Sequence, residues 1–184
     1  MKRYDTIFLD RDGTLNPDPG YIQSLDQFQF FDFTLPALET LAEAGFRFCI
    51  VTNQSGIGRG LIKQESLEAI HQFIREEFLR QGINLLNIYY CPDHPERACE
   101  SRKPGAKMFL QAARDYAIDL ENCLMIGDAG SDIEAGVNLN MDTMLVLTGK
   151  GRQTLVDLKN RSRPTFIAEN LLAGAEIILR ECGK

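Results

Sequence analysis

The stretch Tyr4-Asp5-Thr6-Ile7-Phe8-Leu9-Asp10-Arg11-Asp12-Gly13-Thr14 decides the reading of this chain. An apolar run ends on two aspartates two residues apart, and a Gly-Thr pair follows. A buried strand delivers carboxylates to the rim of a sheet in this way. Two carboxylates so close repel each other, so a proton, a lysine or a metal must hold them. A hard cation such as Mg²⁺ suits oxygen donors of this kind.

Working outward, short apolar runs alternate with amphipathic ones. Strands are expected at Thr6–Leu9, Phe46–Val51, Ile88–Tyr90, Leu124–Ile126 and Met144–Leu147, with a short edge strand at Phe166–Ile167. Helical spacing joins Leu35, Leu38, Leu41 and Ala42. It also joins Leu67, Ile70, Ile74 and Phe78, then Phe109, Ala112, Ala113 and Tyr116, and finally Leu171, Leu172, Ala175, Ile178 and Leu179. Gly45 and Gly82 stand where helix C-caps belong. This rhythm predicts an α/β fold, a doubly wound and mostly parallel sheet with helices on both faces. The polar, basic stretch Gly149 to Arg163 reads as a solvated loop and short helix.

In such sheets ligands bind beyond the carboxyl ends of the strands. Asp10 and Asp12 follow the first strand, and Thr52-Asn53-Gln54-Ser55-Gly56-Ile57-Gly58-Arg59-Gly60 the second. Cys91 to Lys103 follows the third, ending in Arg102-Lys103-Pro104. Gly127-Asp128-Ala129-Gly130-Ser131-Asp132 follows the fourth. Lys103, ahead of Pro104, is biased to an extended backbone. It reads either as a solvated charge or as the counter-ion of the aspartates. Asp132 either serves the start of a helix at Ile133, where Ser131 and Glu134 resemble a cap, or joins the carboxylates. Aspartates, a hydroxyl, a lysine and further aspartates on four strand ends suit phosphoryl transfer through a carboxylate nucleophile.

These motifs resemble the haloacid dehalogenase superfamily of phosphatases: Asp10-x-Asp12-Gly13-Thr14, Thr52, Lys103 and Gly127-Asp128-x3-Asp132 occur in its order. Longer stretches, Phe8 to Asn16, Val51 to Gly60, Tyr89-Tyr90-Cys91-Pro92 and Ser101-Arg102-Lys103-Pro104, are similar to its histidinol-phosphatase-type subgroup. The resemblance implies that Asp10 is the nucleophile and a Mg²⁺ ligand. It makes Asp12 the general acid/base and a ligand through its carbonyl, and Asp128 the remaining metal ligand. Thr52 and Lys103 would hold the transferring phosphoryl group. Asp18, Gly20, Tyr21, Asn53, Gln54, Ser55 and Arg102 would line the substrate. The implied substrate is a phosphorylated sugar, heptose 1,7-bisphosphate losing its 7-phosphate, with histidinol phosphate as the alternative. A non-catalytic phosphate-binding protein is the alternative of another class.

The segments after Asp12 and Thr52 are too short for the large cap of some superfamily members, so residues 1–184 are expected to form one domain with an open site. The subgroup's zinc loop is altered. Asp93 stands at its usual histidine and Ser101 at its last cysteine, which leaves Cys91, His94 and Cys99 as a three-ligand remnant where a closed zinc site needs four.

The net charge of -6 argues against a broad nucleic-acid or anionic-membrane surface. No stretch approaches the roughly 20 apolar residues of a membrane span. Five cysteines and a start without an apolar leader point to reduced thiols in the cytoplasm. A monomer is expected.

Overall fold

The structure is a computed structural model that describes residues 3–97, 99–158 and 163–184. The strands are β1 (Thr6–Leu9), β2 (Arg47–Asn53), β3 (Leu85–Cys91), β4 (Cys123–Gly127), β5 (Asp142–Val146) and β6 (Phe166–Ala168). They form one sheet in the order β3-β2-β1-β4-β5-β6. Every pairing is parallel, so the expected mostly parallel sheet is parallel throughout. Leu9 of β1 pairs with Ile50 on one side and Ile126 on the other. Asp10 therefore leaves the middle of the sheet, and its N–H still reaches the Ile126 carbonyl at 2.9 Å.

The helices are α1 (Thr34–Glu43), α2 (Ser55–Gly58), α3 (Gln64–Arg80), α4 (Lys107–Tyr116), α5 (Gly130–Asn138), α6 (Gly151–Asp157) and α7 (Leu171–Cys182). Side chains of successive strand residues point to opposite faces. Ile7 and Leu9 enter a core with Leu38 and Leu41 of α1, Ile70 and Ile74 of α3, and Ile178 of α7. Phe8 enters the opposite core with Phe109 and Ala112 of α4 and Ala135 of α5. Both faces of β1 are thus buried, which explains why its sequence is an unbroken apolar run.

The helical faces expected from spacing are mostly buried or half-buried, except Leu172, which is exposed. Gly45 and Gly82 follow α1 and α3 with φ of 88° and 69°, in the left-handed region that suits glycine beyond a helix end. Most strand boundaries moved by one to three residues, and two changes lie at the site. β2 runs on through Thr52 and Asn53, because pairing with Tyr90 and Cys91 of the longer β3 extends the ladder. α5 begins at Gly130 with Ala129 as its N-cap, so the Ser131–Glu134 cap is not formed. The short helix expected within 149–163 is α6, and residues 159–162 lie outside the described residues. Between Gly13 and α1 the chain forms turns, one end of the Asp12–Asn16 bridge and a short 3-10 helix, Leu25–Gln27. Among the described residues, no helix is long and apolar enough to cross a membrane.

Candidate active site

Five strand ends place polar residues around one cavity of about 530 Å³ at the carboxyl edge of the sheet. Its floor is Asp10, whose Oδ1 accepts from Lys103 Nζ at 2.6 Å. The same ammonium lies 2.7 Å from Asp132 Oδ1 and donates to the Val51 carbonyl at 2.7 Å. Asp10, Asp128 and Asp132 each bring a carboxylate oxygen within 4.8 Å of the others, and all three are buried. Three carboxylates thus surround one ammonium.

Burial pushes the Asp10 carboxyl well above its ordinary range, with Asp132 and Asp128 adding to the push and Lys103 opposing it. Burial, then Asp132, takes Asp128 up to about 6 against the pull of the Lys150 N–H. Burial also works against the Lys103 ammonium, but Asp10 and Asp132 outweigh it and raise its pKa. The cluster holds more negative charge than its own lysine balances. Hard oxygen donors at this spacing fit a divalent cation such as Mg²⁺.

Asp12 is kept differently. Its Oδ1 accepts from Arg11 Nε at 3.0 Å, Arg11 Nη2 at 2.9 Å and Asn16 Nδ2 at 3.0 Å. Its Oδ2 accepts from Gln54 Nε2 at 2.7 Å. Burial raises its pKa, yet Arg11 and these amides outweigh burial and hold it below the ordinary carboxylate range. Arg11 is itself only 1 % exposed. It occupies the unspecified place in the Asp-x-Asp pattern, and sequence reading had assigned it nothing.

Asn53 and Gln54, expected to face the substrate, spend their amides inside the site. Asn53 Nδ2 donates to the Lys103 carbonyl at 3.2 Å, and its Oδ1 accepts from the Lys103 N–H at 3.0 Å. Gln54 Nε2 also reaches Thr52 Oγ1 at 2.9 Å. Both residues still line the cavity, as do Thr52, Ser55, Gly20, Tyr21 and Arg102. Tyr21 stands at the rim, 39 % exposed. A Cβ on Gly56 would come within 3.0 Å of its ring, so glycine there lets Tyr21 settle. Asp18 lines the cavity as well, and its Oδ1 accepts from the Gly20 N–H at 3.0 Å.

Asp132 fills both of the roles open to it. Its Oδ2 accepts from the Ala129 N–H at 3.1 Å at the start of α5, while Oδ1 faces Lys103. Lys150 was missed in sequence reading, because it lies in a stretch taken for solvated loop and short helix. Its N–H donates to Asp128 Oδ2 at 2.6 Å, and its ammonium pairs with Asp18 at 2.7 Å.

The zinc remnant does not assemble. Among the described residues the one group of donors close enough for a metal is the aspartate cluster, so Cys91, His94 and Cys99 do not converge. His94 Nδ1 accepts from the Glu96 N–H at 3.2 Å. Asp93 Oδ2 accepts from the Cys99 N–H at 3.1 Å, and Cys99 Sγ accepts from the Ser101 N–H at 3.4 Å. Hydrogen bonds from Cys99, with a further one from Cys91, hold the Asp93 carboxyl below its ordinary range. Burial pushes the Cys91 thiol up to about 11, which disfavours the thiolate a zinc ion needs. All five cysteines are free.

The chain is similar to known proteins. A family described as HAD-hydrolase-like matches residues 100–174. A D-glycero-beta-D-manno-heptose-1,7-bisphosphate 7-phosphatase of Yersinia pestis is 41% identical over 152 residues, 78% of this chain and 81% of the relative. The enzyme of that name from Escherichia coli K12 is 40% identical over 158 residues, 81% and 82% of the two chains. The chain belongs to the haloacid dehalogenase-like hydrolases.

Within these hydrolases, the solved D,D-heptose 1.7-bisphosphate phosphatase of B. bronchiseptica superposes with a TM-score of 0.88 at 34% identity. The match covers 96% of this chain and 99% of that one. That structure contains magnesium and phosphate.

Proposed function

We propose that this chain is a Mg²⁺-dependent phosphatase that removes the 7-phosphate of D-glycero-D-manno-heptose 1,7-bisphosphate through an aspartyl-phosphate. The observation that carries the reading is Asp10 on the cavity floor beneath Lys103, in a carboxylate cluster with unbalanced negative charge. The names of the relatives at about 40% identity supply the substrate.

Asp10, Asp128 and the carbonyl of Asp12 would hold the Mg²⁺, which when bound neutralises phosphate charge so that an anionic carboxylate can approach. Lys103 and Thr52 hold the phosphoryl oxygens. Asp10 attacks phosphorus, forming the new P–O bond as the bond to the sugar oxygen breaks. Asp12 gives that leaving oxygen its proton. Asp12 then takes a proton from water as the water attacks phosphorus, which releases phosphate and restores the Asp10 carboxylate. The resting structure favours ionised Asp12, the form required for the second step. An arriving phosphate dianion beside Gln54 favours its protonated form, required for the first.

The segments after Asp12 and Thr52 are short, so we read the chain as a single domain without a large cap, working as a monomer. Five free cysteines suit a reducing, cytoplasmic setting. The test is a phosphatase panel ranked by kcat/KM, with heptose 1,7-bisphosphate, sugar monophosphates and histidinol phosphate. The bisphosphate should rank first. A rank no higher than the monophosphates overturns the assignment.

A further inference from the structure

The cavity is lined by three cations: Arg102, Lys103 and Lys150. Lys103 is already engaged at the reacting centre, by Asp10, Asp132 and the Val51 carbonyl. Lys150 is unlike it: its root is fixed, and its head, paired with Asp18, is largely exposed. Gly149 has a φ of 49°, and a Cβ there would lie 2.1 Å from Asp128 Oδ2 and 2.6 Å from the Gly13 Cα. A Cβ on Gly151 would lie 1.9 Å from the Val146 carbonyl oxygen. Thr148 Oγ1 donates to the Gly13 carbonyl at 2.6 Å, and the Lys150 N–H is bound to Asp128. The turn from Thr148 to Gly151 is therefore pressed between the ends of β1 and β4, with glycine required on both sides of the lysine.

The side chain that this turn presents is 70 % exposed, while its partner Asp18 is 12 % exposed. An ion pair with so exposed an ammonium is weak. A turn this constrained is not needed to place so weak a tie. It does place a cation beside the reacting centre that can change partner at little cost. A phosphate dianion offers more charge and more acceptor oxygens than the Asp18 carboxylate. Lys150 follows β5 and Arg102 follows β3, so the two cations stand on opposite sides of Asp10 in the strand order. Two strand spacings separate β1 from β5, about 10 Å, comparable with the length of a sugar phosphorylated at both ends.

We propose that Lys150 is a specificity residue: its ammonium leaves Asp18 and takes the phosphate of the substrate that is not transferred. This rests on the bisphosphate reading above.

The test compares heptose 1,7-bisphosphate with heptose 7-phosphate, which lacks only the phosphate at carbon 1. The readout is the ratio of their kcat/KM values. In Lys150→Met the ratio should fall roughly tenfold, the low end for a charge-assisted hydrogen bond, through KM for the bisphosphate. Lys150→Arg should restore most of it. Asp18→Asn, which frees the ammonium, should hold the ratio or raise it. If the pair only ties two loops together, Lys150→Met and Asp18→Asn lower both substrates alike and the ratio stays put; that result overturns the inference. A fall in the ratio for Asp18→Asn equal to that of Lys150→Met overturns it too. A wild-type ratio near one defeats the bisphosphate reading itself, and the inference with it. A high wild-type ratio that Lys150→Met leaves intact defeats the inference alone.

Discussion

Around Asp10 and around Asp93 the chain handles a carboxylate in opposite ways. Asp10 is buried with Asp128 and Asp132, and one ammonium, Lys103, pairs with Asp10 and Asp132. Asp93 lies in the loop after β3, in the place where zinc sits in the resembled subgroup. There the N–H and thiol of Cys99, helped by Cys91, satisfy it. The first region is electrostatically unfinished and calls for a cation. The second is closed by hydrogen bonds and needs none. The two meet at Arg102-Lys103, whose backbone is tied to the loop by the Arg102 N–H on the Cys99 carbonyl at 3.1 Å and to β2 by Asn53. The loop can thus deliver Lys103 to the site without a metal of its own.

The largest expected effect breaks the first region. Asp10→Asn should lower turnover by roughly 10⁴-fold or more, as loss of a nucleophile does. Its thermal midpoint should hold, because the change removes a buried negative charge from a cluster with too many. Phosphate release and a melting curve check both halves. Retained turnover sinks the mechanism, and a collapsed midpoint sinks the claim of excess charge.

Metal removal sets the two regions against each other. Dialysis against a chelator should cost more than about 10²-fold in activity, since a bound metal contributes several kcal/mol to phosphoryl transfer. Mg²⁺ alone should restore it. The purified protein should carry far less than one zinc per chain, and chelation should leave the fold of the 91–103 loop unchanged by amide exchange. Stoichiometric zinc, or a chelator that frees the loop, breaks the comparison.

Much of the first region was legible in the sequence, because each strand is a run of residues and its end is the next residue along. Asp10, Thr52 and Asp128 needed no tertiary information beyond the rule that strand ends carry the site. What stayed hidden depends on contacts between distant segments. Gly149-Lys150-Gly151 looks like a surface turn until Gly149 is seen against Asp128 and Gly13. Asn53 and Gln54 looked like substrate ligands, because nothing local reveals that Lys103 and Asp12 claim their amides. Arg11 was passed over since a charged residue among strand-end aspartates is usually solvated, whereas Asp12 and a Phe28 ring 6.0 Å away enclose it. The altered zinc loop was readable as a loss of ligands. Its replacement was not, because a carboxylate that binds a thiol leaves no signature in spacing.

The smallest effect sharpens the second region. Asp93→Asn keeps the side chain's shape but removes the charge that the Cys99 thiol and N–H address. The loop should loosen where Arg102 depends on it: Arg102 Nη1 lies 3.5 Å from the Asp93 carbonyl, and a Cβ on Gly105 would meet the Glu100 carbonyl at 2.2 Å, so the segment from 99 to 105 is close-packed. The expected outcome is a few-fold rise in KM for the bisphosphate with kcat nearly unchanged, because Asn53 and the aspartates still hold Lys103. A comparable loss in kcat would mean that the loop, and not β2, fixes the lysine. The division between an electrostatic centre and a hydrogen-bonded clasp would then be drawn in the wrong place.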